Sequence, residues 1–204
     1  MNSLCIVTDD ELLAVAFLVG GEWKRPLETV QLGDVSQAAA AIQRGIRSLR
    51  LREILAADGE TLSQDVDPAV TAVTAPVRLV VASVDEHLNA AAGPERFEVS
   101  GAGEEWVVNA VEVGGVHRIV RVPRDEAQGF VIALLISRSQ VQDELGLCLL
   151  VRNDDGRLAG GLHAHDGVVR LLTTQPDGSL KVGEPQMVDA VSISAAVDAM
   201  STSA

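Results

Sequence analysis

Hydrophobic positions along the first seventy residues recur mostly at helical spacing. Thr8-Asp9-Asp10-Glu11 opens the first such stretch, with Thr8 placed to cap a helix and Glu11 to reach back in a capping box. Leu12, Leu13, Ala16, Phe17 and Val19 follow, and Gly20-Gly21 ends the run. A short strand is predicted over Leu27 to Leu32. Asp34 or Ser36 caps a second helix to about Leu51, with Val35, Ala38, Ala39, Ile42, Ile46 and Leu49 as its apolar positions. The cations Arg47, Arg50 and Arg52 suit that helix's C-terminal end. Asp58-Gly59 marks a turn. Asp67-Pro68 starts a third short helix, with proline where its missing N–H costs nothing.

From Val77 the pattern turns to strands. Val77 to Val84 reads as a buried strand and Phe97 to Val99 as a shorter one. Glu105 to Val113 and Val116 to Val122 form a hairpin about Gly114-Gly115, and Pro123 stops its second strand. Asp125 caps a helix through Phe130, Ile132, Leu134, Leu135 and Ile136. Strands resume at Leu147 to Val151, followed by a turn over residues 153–156. Gly160 to His165 and Val168 to Thr174 form a second hairpin about Asp166-Gly167. After a turn at Asp177-Gly178, Leu180 to Glu184 is a strand ended by Pro185; a helix from about Val188 to Met200 and a frayed tail complete the chain. Two stretches share a layout of hairpin, strand, proline and helix, His117 to Pro123 before the helix with Phe130 and Leu180 to Pro185 before the helix with Val191, which hints at internal pseudo-symmetry. The expected class is α+β: a mostly antiparallel sheet with helices packed on one side, in a pseudo-two-fold arrangement of two β-rich halves. One domain over residues 1–204 is expected, with sub-halves 1–140 and 145–200.

Composition narrows the partners. The 204 residues are 47% hydrophobic and 22% charged, enough apolar material for a core without staples. Net charge is −13, which disfavours nucleic acid and anionic membrane as main partners. No run reaches a membrane span, and Asp9, Asp10 and Glu11 stand where a signal peptide carries basic residues. The expected location is the cytoplasm. Cys5 and Cys148 sit in apolar runs and read as buried free thiols. The abundance of Ala, Val and Arg, with lysine only at Lys24 and Lys181, suits a GC-rich genome.

Candidate chemistry is sparse. His163-Ala-His165-Asp166 places two histidines on one strand face, as some hydrolase zinc motifs do, but a zinc site needs three or four ligands, and the bland reading is a solvated hairpin tip. Gly101-Ala-Gly103 precedes a strand and two acids rather than a helix, so it is no phosphate cradle. Ser137, Ser139 and Thr173 lack a histidine and acid at motif spacing, and there is no tyrosine. No enzyme, cofactor or metal is expected. Arg44, Arg47 and Arg50 allow an alternative, a winged-helix DNA-binding regulator with an α+β dimerisation or ligand domain; the plainer reading is a solvated helix face. Trp23 and Trp106 serve either the core or an interface.

The order of elements resembles the EspG family of type VII (ESX) secretion-associated proteins. The likeness spans roughly the first 135 residues. It rests on the opening helix from Thr8 to Val19 and on the run Arg47 to Leu55 ending the second helix. Asp65-Val-Asp-Pro-Ala69, the strand beginning Arg78-Leu-Val-Val, and the strands Glu105-Trp-Val-Val-Asn-Ala-Val and Val116 to Pro123 leading into a helix complete it. The chain is shorter than members of that family, with a compressed C-terminal part. The resemblance implies an actinobacterial, cytosolic, non-enzymatic chaperone that binds PE–PPE type substrates for secretion. The expected contact is the hairpin tip Val113, Gly114, Gly115, Val116 and His117, with Arg118 and Trp106 nearby. A homodimer is left open.

Overall fold

A computed structural model describes residues 4–21, 23, 27–84, 97–139, 145–152, 158–165, 168–174 and 180–187. The described residues open with strand β1 (Leu4–Thr8), which no sequence signal predicts. It continues through helices α1 (Asp9–Leu18), α2 (Val35–Leu51) and α3 (Asp67–Thr74). A meander of β2 (Val77–Val84), β3 (Phe97–Ala102), β4 (Glu105–Glu112) and β5 (Val116–Pro123) follows. Helix α4 (Arg124–Ser139) leads into β6 (Leu145–Arg152), β7 (Leu158–His165), β8 (Val168–Thr174), β9 (Leu180–Val182) and β10 (Gln186–Met187). The expected turns at 153–156, 166–167 and 177–178, and the helix and tail beyond Val188, lie outside the described residues.

All ten described strands join one sheet in the order β1-β5-β4-β3-β2-β6-β7-β8-β10, with β9 also on β8. Every pairing is antiparallel, so the α+β class holds. The meanders β2–β5 and β6–β9 abut where β2 pairs with β6, Val77 opposite Arg152 through Val84 opposite Leu145.

The expected single layer of helices is corrected, because helices cover both faces. Cys5, Val7, Val107 and Ile119 point to one face and share a core with α1, α2 and α3. Phe97, Val99 and Trp106 point to the other. There Phe130 of α4 meets Phe97 edge-on, ring centroids 5.3 Å apart, and Ala127 and Val131, one turn apart, are buried. Topology explains the split. Counting antiparallel pairings along the sheet, β1 runs parallel to β2, and β5 runs parallel to β6. Both crossovers skip three strands in the same lateral direction, but β1 and β5 run opposite ways. The two connections share one hand only if their helices lie on opposite faces, and a single hand is the strong rule for such crossovers.

Local signals explain the helix starts. Thr8 accepts the Glu11 N–H (3.3 Å) while Glu11 accepts the Thr8 N–H (3.0 Å), so the capping box is present. Asp34 caps α2 by accepting the N–H groups of Ser36 and Gln37. Pro68 sits in the first turn of α3. Helix α1 is buried on nearly every side, from Leu12 to Ala16, between the sheet, α2 and α3. It lies so close to α2 that a Cβ on Gly45 would fall 2.0 Å from the Asp10 carbonyl oxygen.

Two local expectations differ. Residues 27–34 form bends and turns rather than a strand; the Thr29 N–H is bonded by a carboxylate instead of a neighbouring strand. The strand expected over Leu180 to Glu184 stops at Val182 and resumes at Gln186. Residues 183–185 stand opposite only residues 170–171, so one residue is extra, and Pro185 has no N–H to offer the ladder.

Candidate binding site

The β4–β5 hairpin tip is anchored rather than free. Val113 is 71% exposed, and Gly114 and Gly115 hold φ of 82° and 69°, which favours glycine at both. Gly115 is buried: its carbonyl accepts the Asp9 N–H (2.8 Å) and its own N–H donates to Glu28 Oε2 (3.0 Å). A Cβ there would meet Asp9 Oδ2 at 2.3 Å. Val116 is half-buried and pairs with both Thr8 and Glu112.

His117 points inward and is 2% exposed. Its Nε2 lies 2.8 Å from Asp9 Oδ1, and its Nδ1 lies 3.1 Å and 3.2 Å from Nδ2 and Oδ1 of Asn109. Asp9 also accepts from the N–H and hydroxyl of Thr29, both at 2.8 Å. Burial pushes the Asp9 pKa up, but the bonds from His117 and Thr29 outweigh it and hold the carboxyl below its ordinary value of 3.8. The set resembles the acid–histidine half of a triad. Asn109, and not a hydroxyl or thiol, faces the second ring nitrogen of His117, so the set clamps α1, the 27–33 loop and the hairpin together.

The expected contact residues do not converge. Trp106 is 2% exposed, donates its Nε1–H to the Gly103 carbonyl (2.9 Å), and packs where a Cβ on Gly101 would clash. It stands at the far end of β4 from the tip, on the face opposite His117. Arg118 shares that opposite face, half-exposed, and pairs with Glu112. Of the seven residues expected at the contact, Val113 and Arg118 are exposed, Val116 is half-buried, Gly114 forms the turn, and Gly115, His117 and Trp106 are internal.

The arginines of α2 divide in two. Arg44 binds Asp10 with two bonds, 2.7 and 2.9 Å. Arg52, just past the helix, pairs with buried Glu11 at 2.7 Å and donates to the Ile6 carbonyl at 3.0 Å. Ser48 donates a further bond to Glu11. Glu11 and Arg52 thereby occupy outward main-chain groups of edge strand β1. Arg47 and Arg50 are exposed and have no ion pair among the described residues. Of the three arginines expected to contact phosphate in the DNA-binding alternative, Arg44 is thus committed to Asp10, while Arg47 and Arg50 are not.

His163 is half-buried on β7, opposite Leu147 and Arg170. Asp166 lies outside the described residues, and among those described no three His, Cys, Asp or Glu side chains gather as a metal site. Cys5 is 3% exposed and burial raises its pKa to about 11, a structural thiol.

One concave surface combines shape with exposed apolar groups. Leu13 and Phe17 of α1, Trp23 and Leu32 of the following loop, and Ala38 and Ile42 of α2 line a groove of about 440 Å³. Phe17 is 60% exposed on its rim. Trp23 forms its inner wall, with its other side edge-on to His117, centroids 6.1 Å apart. The clamp at His117 therefore backs the groove. The sequence showed Phe17 and Ile42 as helix-face residues; only the tight crossing at Gly45 turns the two faces into one cleft. No described helix is long and apolar enough to cross a membrane. No protein-family model and no curated protein matches the chain.

Proposed function

We propose that this chain is a non-enzymatic adaptor of the secretion-chaperone type, resembling the EspG family, that keeps a partner's apolar surface out of water in the cytoplasm. The observation that carries the reading is the α1–α2 groove, whose lining is apolar and whose rim residue Phe17 is solvent-exposed. The buried Asp9–His117 pair supports it, because this acid–histidine pair is spent on holding the groove's wall. Partners of the PE–PPE type follow from the resemblance, as does a pseudo-two-fold relation between the halves that meet at β2 and β6.

The test is co-purification from an actinobacterial host, comparing the native chain with Phe17→Asp and with a Val113→Asp/Arg118→Glu double variant. A small helical protein held at near-equal stoichiometry and lost from Phe17→Asp supports the adaptor and its groove. Loss from the double variant alone moves the contact to the hairpin tip. A clean chain with no protein partner in any sample defeats the adaptor reading.

A further inference from the structure

We infer that the groove takes an amphipathic partner helix about three turns long whose polar side is acidic towards the C-terminal end of α2. This rests on the adaptor reading and narrows its partner.

Helicity follows from what the groove offers. Its two long walls are α1 and α2, whose main-chain groups are bonded within each helix. A strand laid against them would leave its own N–H and C=O groups unpaired, whereas a helix arrives with them satisfied. Length follows from the apolar stripe. Val35, Ala39, Ile42 and Ile46 lie on the outer flank of α2, beyond the line Ala41, Gly45 and Leu49 that is buried against α1. Val35 is 81% exposed and Ile42 and Ile46 are half-buried. That stripe extends roughly 16 Å at 1.5 Å per residue, which matches about three turns of a partner.

Charge follows from the residues beside the stripe. Helix α2 contains no acidic residue, although the chain carries −13. Arg44 is neutralised by Asp10, while Arg47 and Arg50 are unneutralised. Arg50 lies one turn beyond Ile46 on the same flank, its guanidinium over Gly59. Acidic side chains on a helix seated along the stripe would meet Arg50 first, with Arg47 about 100° further round α2 from Ile46. A basic one would meet like charge, and the rest of this acidic surface offers no comparable positive strip on a described helix.

Two synthetic peptides of about three turns test this, with identical leucine faces at i, i+4 and i+7 and polar faces of glutamate in one and lysine in the other. Binding is read at low salt from tryptophan emission, since Trp23 lines the groove and Trp106 is buried in the core. The acidic peptide should bind about tenfold tighter than its lysine twin. Arg47→Glu/Arg50→Glu should reverse the order, and Phe17→Asp should abolish both signals. Equal affinities, an order unchanged by charge reversal, or binding that survives Phe17→Asp each overturn the inference. Failure of both peptides to bind also overturns it, while the adaptor reading still stands or falls by Phe17-dependent co-purification.

Discussion

Asp9 Oδ1 sits 2.8 Å from His117 Nε2 although 108 positions separate them, and both side chains are almost fully buried. Replacing His117 with alanine leaves a buried carboxylate without its main partner. The expected loss is about 3–5 kcal/mol, read as a lower urea midpoint at neutral pH.

Acid should weaken the same link. The folded-state pKa of Asp9 lies below its ordinary 3.8, so its contribution is complete above that value and is lost as pH falls through the folded-state pKa. Asp9→Asn should cost about 1–3 kcal/mol near neutrality. The gap from the native chain should then close below pH 3.8. Asp34 and Asp58 are held low too, by hydrogen bonds led by those from Ser36 and Thr61, so some acid sensitivity persists in the variant. A gap that stays constant down the acid limb would disprove the assignment.

One substitution should have opposite signs in two helices. Gly129 of α4 is exposed with open space at its Cβ position, so Gly129→Ala should stabilise by about 0.5–1 kcal/mol. Gly45→Ala gains the same propensity, but its methyl would meet the Asp10 carbonyl at 2.0 Å and the Ala14 Cβ at 2.9 Å. The clash outweighs the propensity, and Tm should fall by several degrees. Two variants shifting the same way would show that the α1–α2 approach is looser than described.

Arg52→Ala should both destabilise and make the chain self-associate. It removes the partner of a 1%-exposed Glu11 and uncovers the Ile6 carbonyl on edge strand β1, beside exposed Leu4 and Ile6. Sedimentation at rising concentration should show dimers or larger species in the variant beyond those of the native chain.

Cys5 should resist alkylation in the folded protein. Burial keeps its thiol protonated at pH 8, with a pKa near 11, and denies reagent access. Mass mapping after iodoacetamide should find its peptide labelled only once denaturant is added.

Elements whose signals are local were legible in the sequence. Thr8 and Glu11 announced α1, Pro68 announced α3, Gly114-Gly115 announced the β4–β5 turn, and Val77–Val84 and Val168–Thr174 carried strand patterns to both ends. Strand β1 was hidden because it is only five residues long, abuts a helix cap, and owes its existence to β5, with Thr8 opposite Val116. Asp9 read as an ordinary first-turn acid, and nothing near it pointed to His117. The alternation of β5 did hold a usable signal: His117 falls in phase with Ile119 on the inward face, where a polar ring requires a partner. The groove was illegible because it depends on how closely two helices approach, which a single glycine decides.

The late arrival of β5 shapes how the chain must be made. On the ribosome, Cys5, Val7 and the apolar sides of α1 emerge well ahead of β5, and the strand that shelters β1 is more than a hundred codons behind. At about 5–20 residues per second, the N-terminal segment waits roughly 5–20 s for its sheet partner. A nascent chain halted before Val116 should carry α1 and α2 as a helical pair with β1 unplaced and its apolar side bare, a natural client for the cell's own folding machinery.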